Sequence, residues 1–381
     1  MDSIKVLTVF GTRPEAIKMA PLIKKLEAES LIESHVCITA QHREMLDQVL
    51  EIFDIKPDYD LNIMQHRQSL VSITTKALEG LYKVINELRL DIVLVHGDTS
   101  TTLAGALAAF YNKVPVGHVE AGRRTYDKYS PYPEEMNRVL IADIAEMHFA
   151  PTVRNKQNLI RENIIQGIYV TGNTVIDALK YTIAPDYMFK DSILKGIDFS
   201  KDRYVLLTAH RRENLGEPLE NICRAVKRLV QDFDDVYIIY PVHLNPAVRE
   251  TVNSILGGTE RVYLTNPVDV QDMHNLMARC YMVMTDSGGL QEEAPALGKP
   301  VLVLRTETER PEALEAGTVK LAGVIENDIY NMAAELLTNK ETYEAMARAV
   351  NPYGDGRASE RIVKAILHRF GLGEKPEEFG L

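Results

Sequence analysis

Short apolar runs alternate with segments of helical spacing along this chain, and the alternation limits the folds open to it. In the first half the apolar runs are IKVLTVF (4–10), HVCITA (35–40), DIVLVHGD (91–98), VPVGHVE (114–120) and EMHFAP (146–151). Each run leads into a helical pattern, directly or through a loop. Strands that alternate with helices indicate a parallel sheet covered by helices on both faces. The first half is therefore predicted to be α/β.

A second alternation of the same kind follows a stretch of weak periodicity at about 180–202. Its apolar runs are YVLLTAH (204–210), VYIIYPVH (236–243), RVYLT (261–265), YMVMTDSGG (281–289) and KPVLVL (299–304). We predict two α/β domains, residues 1–180 and 181–354, because 381 residues suffice for two cores. A terminal helix is predicted at about 355–371, followed by a loose tail, 372–381.

The composition argues against broad polyanion-binding surfaces. Acidic residues outnumber basic ones by 54 to 43, giving a formal net charge of −11, so we expect no nucleic-acid or membrane partner. No apolar run approaches the length of a membrane span. Three widely separated cysteines, Cys37, Cys223 and Cys280, indicate reduced packing residues in a cytoplasmic enzyme, without a disulfide or a zinc site.

The first strand-to-helix turn, GTRPE, predicts a phosphate-binding helix start. Thr12 and Glu15 have capping-box spacing and Pro14 suits a first turn, so the helix should begin near residue 13. Free backbone N–H groups at such a turn favour phosphate, and Arg13 and Lys18 would add positive charge. The turn lacks GxGxxG, which disfavours a dinucleotide site.

Carboxylates cluster around the stretch GHVEAGRRTYDKYSPYPEEMNR (117–138). Glu120 ends an apolar strand, whereas Glu134 and Glu135 open a helix after a loop rich in Tyr and Pro. Acids gathered at one rim suit acid/base chemistry, because nearby like charge can raise a carboxyl pKa. The alternative is a solvated loop whose acids only stabilise a helix start, which we favour for Glu135 alone.

Two alternating pairs, His96 with Asp98 and His118 with Glu120, also have a spacing that metal hydrolases use. Both pairs lie where a strand runs into a turn, and no further cluster completes a coordination shell. We therefore expect Asp98 and Glu120 to face a crevice, the histidines to form local hydrogen bonds, and no metal to bind.

The segment TDSGGLQEEAP is the strongest phosphate signal. Ser287, Gly288 and Gly289 follow a strand, and glycines allow a ligand close to the backbone. Glu293, one turn later, could accept from sugar hydroxyls. A tight turn that needs glycine for its geometry alone is the alternative. Walker A spacing is absent, which disfavours an NTPase.

Basic side chains follow other strands of the second half. TAHRRENLG offers His210, Arg211 and Arg212 to an anion, and TERPE offers Arg310. The alternative is that these arginines form surface pairs with acids. The acids considered are Glu213, Glu307 and Glu309.

Taken together, these segments resemble the non-hydrolysing UDP-N-acetylglucosamine 2-epimerases. The matching motifs include FGTRPEAIKMAP, VHGDT, GHVEAG, YSPYPEEMNR, HRREN, YPVHLNP, TDSGGLQEEAPALGKPVLVLR and NPYGDG, in unbroken order from residue 4 to about 370. The resemblance implies two Rossmann-like domains facing across a cleft in the GT-B arrangement, with the C-terminal helix crossing back to the first domain. It also implies interconversion of UDP-N-acetylglucosamine (UDP-GlcNAc) and UDP-N-acetylmannosamine (UDP-ManNAc) by elimination of UDP, without a cofactor. Surface-polysaccharide or teichoic-acid linkage synthesis and a homodimer are further implications.

The resemblance also carries roles to individual residues. Asp98, Glu120 and Glu134 are matched to acid/base carboxylates, and His210 to the group at the diphosphate. The matched nucleotide-sugar ligands are Arg13, Lys18, Ser287, Gly288, Gly289, Glu293 and Arg310. Residues similar to a second, activating UDP-GlcNAc site are Gln41, His42, Arg67, Glu134, Arg211 and His243.

Two positions depart from the family pattern. Arg123 stands in the VEAG loop where the family usually has Leu, which adds a charge at an apolar position. Met273 stands near a position where the family commonly has an aromatic residue against uracil, which should affect affinity more than chemistry.

Three rival functions follow from the same residues. A GT-B glycosyltransferase would need an acceptor groove, which the carboxylates disfavour. A hydrolysing epimerase would release free ManNAc, and a UDP-sugar sensor would bind without turnover.

Overall fold

The protein is described here from a computed structural model that covers residues 3–40, 43–64 and 68–380, without the side chain of Glu44. The chain forms two compact units. Unit 1 comprises Met1–Tyr181 and Tyr353–Leu381, and unit 2 comprises Thr182–Pro352. Each unit is built on one parallel sheet, as predicted.

Seven strands form the sheet of unit 1. They are β1 (Ile4–Phe10), β2 (Ile32–Ile38), β3 (Tyr59–Asp60), β4 (Ile92–His96), β5 (Val116–Val119), β6 (Met147–Ala150) and β7 (Ile168–Val170). The helices between and after them are α1 (Arg13–Glu27), α2 (Arg43–Ile52), α3 (Leu70–Leu88), α4 (Ser100–Tyr111), α5 (Glu134–Ile144), α6 (Val153–Arg161) and α7 (Thr174–Thr182). The strand order is β3-β2-β1-β4-β5-β6-β7, so the order reverses between β1 and β4. Ligands of open parallel sheets bind outside the carboxyl ends of strands at such a reversal.

Unit 2 repeats this design with six strands. They are β8 (Arg203–Thr208), β9 (Val236–Pro241), β10 (Val262–Thr265), β11 (Met282–Thr285), β12 (Val301–Val303) and β13 (Val319–Leu321). The helices are α8 (Glu217–Asp232), α9 (Pro246–Leu256), α10 (Val270–Arg279), α11 (Leu290–Ala296), α12 (Pro311–Glu315), α13 (Glu326–Thr338) and α14 (Lys340–Ala347). The order β10-β9-β8-β11-β12-β13 reverses between β8 and β11. The carboxyl ends of these two strands carry HRR and DSGG.

The last helix, α15 (Ala358–Arg369), returns to unit 1, as predicted. Ile362 and Ile366 are fully buried in the same hydrophobic cluster as Leu22 of α1. The Asp177 carboxylate of α7 accepts hydrogen bonds from the backbone N–H groups of Ala358 and Ser359 at 3.1 and 2.8 Å. An acid from another helix therefore caps the start of α15.

The prediction of a loose tail is wrong for the residues just before the C-terminus. Phe379 donates its N–H to the Val170 carbonyl at 2.8 Å, and Lys156 pairs with Glu378 at 2.7 Å. The tail is held because β7 is an edge strand, and an edge strand has unpaired backbone groups that a neighbouring segment can bond.

The stretch 180–202, with weak periodicity, contains a single 3₁₀ turn (Leu194–Gly196) after the end of α7. The buried Asp272 of α10 orders it by accepting from Tyr187 Oη and from the backbone N–H groups of Lys190 and Asp191.

The three cysteines are all buried and unpaired. Within the described ranges no helix is long and apolar enough to cross a membrane.

Candidate active site

Glu120 lies directly after β5 at the carboxyl edge of the unit 1 sheet. Its carboxylate is 6% exposed and has charged neighbours on both oxygens. Arg123 Nη1 lies 2.7 Å from Oε1, His96 Nε2 lies 3.1 Å from Oε2, and Lys18 Nζ also bonds Oε2. Glu120 has a φ of +64°, a conformation that costs a non-glycine residue free energy and that is common at functional sites.

These neighbours shift the pKa of Glu120 in the direction opposite to the one expected. Burial opposes ionisation, but Arg123, Lys18 and His96 together hold the pKa of this carboxyl well below its usual value. The expectation that like charge raises it is wrong for Glu120, because the nearest charged groups are cations. Glu120 is therefore ionised at neutral pH and can accept a proton.

The two histidines of the alternating pairs differ in their contacts. His118 Nε2 lies 2.7 Å from the Gly97 carbonyl, and burial lowers the pKa of His118 to about 3. The neutral ring therefore donates to the Gly97 turn, which confirms a local hydrogen bond. His96 instead faces Glu120. Among the described residues no group of three His, Cys, Asp or Glu side chains is arranged to hold a metal.

Asp98 is bonded to the start of α5. Its Oδ2 accepts from Arg138 Nε and Nη2 at 2.8 and 2.7 Å, and its backbone carbonyl accepts from Asn137 Nδ2 at 2.8 Å. These bonds bring the loop after β4 to the first turn of α5, where Glu134 is the first residue. Asp98 and Glu134 therefore lie at one edge of the sheet.

The two neighbouring glutamates of α5 face different surroundings. Glu134 is half-buried, and its side chain forms no hydrogen bond or ion pair with the part of the chain that the structure describes. Glu135 is buried and accepts from the N–H groups of Thr125 and Tyr126, both at 2.9 Å, and from Arg138. The interpretation of Glu135 as a solvated acid is wrong, because this carboxylate supplies acceptors to loop amides.

Glu15 connects the loops that carry Arg13 and Asp98. Its buried carboxylate accepts from the N–H groups of Gly11 and Thr12 at 3.1 and 2.8 Å, and from the hydroxyls of Thr99 and Thr102 at 2.8 and 3.1 Å. The capping-box spacing predicted the bond from Thr12, whereas the threonines after β4 come close only through strand pairing. Arg13 is the first residue of α1 and is half-buried.

In unit 2 the buried Asp286 joins the two loops at the strand-order reversal. One carboxylate oxygen, Oδ2, accepts from the N–H groups of His210 and Arg211 at 2.7 Å each and from Asn214 Nδ2 at 3.0 Å. The loop after β8 is thus held against the loop after β11. Asp286 itself is fully buried, so it positions this site.

His210 is neutral in this setting. Its ring stacks on His243 with centroids 5.2 Å apart and an interplanar angle of 9°. Burial lowers the pKa of His210, Asp286 partly opposes the effect, and His243 and Arg211 add to it. A neutral imidazole can donate one hydrogen bond and accept another. The structure thus brings together two histidines that were predicted for different sites.

The glycine turn after β11 has cationic side chains beside it. A Cβ atom at Gly288 would lie 3.3 Å from Arg310 Nη2 and 3.9 Å from Arg211 Nη2. A Cβ atom at Gly289 would lie 3.2 Å from Glu293 Oε1 and 3.9 Å from Ser287 Oγ. The two glycines keep this space open beside two guanidinium groups, a hydroxyl and a carboxylate, which suits a phosphorylated sugar. Arg310 also bonds Glu292, and its Nη1 lies 3.8 Å from Oε2 of Glu309, one of the acids considered from the sequence.

Glu293 is supported from α10. His274 Nε2 lies 3.4 Å from Glu293 Oε2, and His274 Nδ1 lies 2.7 Å from the Thr182 hydroxyl. His274 is buried, so the sequence alone could not separate it from a packing residue. Met273, beside it on α10, is half-buried.

Comparison with known proteins decides the family. The family model for UDP-N-acetylglucosamine 2-epimerase matches residues 24–367. The Bacillus subtilis enzyme named UDP-N-acetylglucosamine 2-epimerase is 56% identical over 381 residues, covering 100% of this chain and 99% of the relative. The Escherichia coli K12 enzyme of the same name is 53% identical over 371 residues, covering 95% of this chain and 98% of the relative. This chain belongs to the UDP-N-acetylglucosamine 2-epimerase family.

Solved structures of the epimerase family agree with the assignment. The crystal structure of UDP-GlcNAc 2-epimerase from Neisseria meningitidis bound to UDP-GlcNAc has a TM-score of 0.85 and 50% identity, covering 96% of this chain and 100% of that one.

Only some of the residues expected for a second nucleotide site lie in the part of the chain that the structure describes. Gln41, His42 and Arg67 lie outside the described residues. Arg211 and His243 lie in unit 2 next to His210, and Glu134 lies in unit 1. The sequence analysis assigned Glu15 only to the capping box and gave no role to His274 or Asp286. All three are buried polar groups that act through their neighbours.

Proposed function

We propose that this chain interconverts UDP-GlcNAc and UDP-ManNAc by epimerisation at C2 and retains the bond to UDP in the product. Membership of the epimerase family supports the substrate, as does the UDP-GlcNAc bound to the Neisseria meningitidis relative. The observation that carries the proposal is the gathering of Asp98, Glu120 and Glu134 at one edge of the unit 1 sheet.

The chemistry explains why carboxylates are needed. The C2 hydrogen of GlcNAc is not adjacent to a carbonyl, so a side-chain base cannot remove it directly. As the C1–O bond breaks, its electron pair leaves with UDP and C1 gains oxocarbenium character. The C2 proton then becomes acidic enough to pass to a carboxylate. The intermediate is 2-acetamidoglucal. Protonation of C2 on the opposite face and return of UDP to C1 complete the epimer.

The surroundings of the three acids differ in ways that suit different steps of this reaction. Glu120 is held ionised by Arg123 and Lys18, so it suits proton acceptance. Asp98 is oriented by Arg138, and Glu134 has no side-chain partner among the described residues. Two faces of the sugar require two proton-handling groups, or one that reaches both.

We propose unit 2 as the UDP-binding unit. Arg310 beside Gly288 would stabilise the negative charge that develops on the departing diphosphate. Neutral His210 would donate a hydrogen bond to the same group. Glu293, supported by His274, would accept from ribose hydroxyls.

The test is incubation of the purified protein with UDP-GlcNAc alone in heavy water, followed by proton and phosphorus NMR. We expect UDP-ManNAc and UDP-GlcNAc that both carry deuterium at C2. Free ManNAc with UDP would instead identify a hydrolysing enzyme. Unchanged substrate that keeps its C2 hydrogen would exclude the elimination route.

Further parts of the proposal concern regulation and context. We propose that a second UDP-GlcNAc activates the enzyme through Arg211 and His243, together with Gln41, His42 and Arg67. We also propose a cytoplasmic homodimer that supplies surface-polysaccharide or teichoic-acid linkage synthesis. A sigmoidal dependence of rate on UDP-GlcNAc and a dimer mass in sedimentation equilibrium are expected. A hyperbolic curve or a monomer mass would contradict the respective part.

A further inference from the structure

Two cations hold Glu120 from opposite sides of its carboxylate. Arg123 Nη1 bonds Oε1 at 2.7 Å, whereas Lys18 and His96 lie at Oε2. Lys18 comes from α1, His96 ends β4, and Arg123 belongs to the loop that follows Glu120. The Arg123 side chain is 17% exposed and that of Glu120 is 6% exposed, so solvent screens this pair only weakly.

The loop backbone directs Arg123 towards Glu120. Gly122 adopts a φ of +86°, and its carbonyl accepts from Asn158 Nδ2 at 3.0 Å. A Cβ atom at Gly122 would lie 2.3 Å from the Asn155 carbonyl, so the close approach of this backbone requires glycine. On the other side, Arg124 forms two hydrogen bonds with Glu162 at 2.7 and 2.6 Å. Arg123 therefore lies between two fixed neighbours.

Lys18 has a single ammonium group and two possible partners, Glu120 and a bound phosphate group. In this structure it bonds Glu120, whereas the sequence analysis assigns its positive charge to the phosphate-binding start of α1. If Lys18 turns towards the substrate, Oε2 loses its cation while Oε1 keeps Arg123. A buried carboxylate without a cation would take up a proton and could no longer act as a base.

We propose that Arg123 is a positioning residue that keeps Glu120 ionised and oriented while Lys18 serves the substrate. The inference rests on the proposed function. A carboxylate with a depressed pKa stays ionised to lower pH, and activity that needs the ionised form is lost as pH falls through that pKa. Removal of Arg123 should raise the pKa of Glu120 and move the acid limb of the pH profile to higher pH.

The experiment compares kcat against pH for the full-length enzyme and three variants, because kcat reports the pKa of groups in the substrate complex, where Lys18 has turned to the substrate. Arg123→Leu removes both the charge and the hydrogen bond, Arg123→Gln keeps a donor without charge, and Arg123→Lys keeps the charge. We expect the acid limb of the Leu and Gln variants to move up by about 1 pH unit or more, as loss of a neighbouring opposite charge does. The Lys variant should stay much closer to the parent. The pH at which the acid limb lies does not depend on how far a substitution lowers the maximal rate.

Other outcomes would overturn the assignment. An acid limb that does not move in the Leu and Gln variants excludes an electrostatic role for Arg123. A limb that moves equally in the Lys variant shows that charge is not what matters. If one of the Leu and Gln variants does not fold, the acid limb of the other still tests the proposal. Failure of the parent enzyme to form deuterated UDP-ManNAc would instead remove the proposed function itself, so the two failures can be told apart.

Discussion

Three acidic side chains at one edge of unit 1 have the same functional group and different surroundings. Glu120 is buried between cations, Asp98 is bonded to Arg138, and Glu134 has no side-chain partner in the described ranges. Environment sets what a carboxylate does, because burial and neighbouring charge change its pKa and its freedom to move. The proposed reaction assigns acid/base roles to these three residues.

Removal of any one carboxylate should reduce turnover strongly. We expect Asp98→Asn, Glu120→Gln and Glu134→Gln each to lower kcat by about 10²-fold or more, because each loses an acid/base group. UDP-ManNAc formation measured by NMR gives the rate. Asp143→Asn is the control, since Asp143 is exposed on the same helix as Glu134. Near-normal turnover in all three variants would remove the acid/base assignment.

Glu15 should matter for both stability and rate without touching substrate. Glu15→Gln places an amide N–H₂ among four donors, so at least one donor loses its acceptor at a cost of about 1–3 kcal/mol in the free energy of unfolding. Denaturant titration measures this loss, and kcat should fall with it because the loops of Arg13 and Asp98 shift. Glu27→Gln, at the exposed end of the same helix, is the matched control. Equal stability of the two variants would contradict the role of Glu15.

Among elements, the loop between β5 and α5 shows how one helix orders a segment without regular structure. Glu135 accepts from Thr125 and Tyr126, and Arg138 connects the same helix to Asp98. The first turn of α5 therefore fixes both the loop that contains Arg123 and the loop that contains Asp98. A pattern of turn residues in the sequence does not show which acid will do this.

Loss of Glu135 should loosen this loop selectively. In Glu135→Ala we expect faster amide hydrogen exchange at Thr125 and Tyr126, because both N–H groups lose their acceptor. Turnover should fall too, since Arg138 loses one of its two carboxylate partners. Asp143→Ala, also on α5, should leave both exchange rates unchanged. Unaltered protection at Thr125 and Tyr126 would show that other contacts hold the loop.

For the molecule as a whole, two sheets of the same class present different chemistry at their strand-order reversals. Unit 1 presents acids held by cations, and unit 2 presents arginines and a neutral histidine beside a glycine turn. The sheet of unit 1 also contains two buried histidines, His118 on β5 and His148 on β6. The stability of that unit should therefore depend on pH.

We expect unit 1 to lose stability as pH falls from about 6.5 towards 4. Burial lowers the pKa of His118 to about 3 and that of His148 to about 4. Between these values and the ordinary pKa near 6.5, the unfolded chain binds more protons than the folded one, so acid favours unfolding. The slope should reach up to about 1.4 kcal/mol per pH unit for each histidine.

Hydrogen exchange of the β4 and β5 amides at several pH values measures this effect. The double variant His118→Gln, His148→Gln is the comparison, because glutamine has no charge to gain. Its stability at neutral pH will be lower, but its dependence on pH should be flatter. Equal slopes for the two proteins would show that carboxylates, not these histidines, cause the acid sensitivity.

Much of the architecture was predictable because it depends on local pattern. The strands through 4–10 and 91–98, the helix starts near Arg13, Glu134 and Glu217, and the return of the last helix all agree with the structure. The short strands β3, β7 and β13 were not predicted, since two or three residues carry too little periodicity. The tail was misjudged because its backbone partner, Val170, is distant in sequence.

The sequence by itself determined the alternation of strands and helices, the glycine turn and the family, because each can be recognised from short runs of consecutive residues. Only the tertiary structure decided that Arg123 and Lys18 converge on Glu120, that Glu15 joins two loops, and that Asp286 is a buried support. Those contacts join residues up to about a hundred positions apart, and strand pairing, not sequence proximity, brings them together. The charge state of Glu120 follows from these neighbours, so it could not be inferred from its position in the chain.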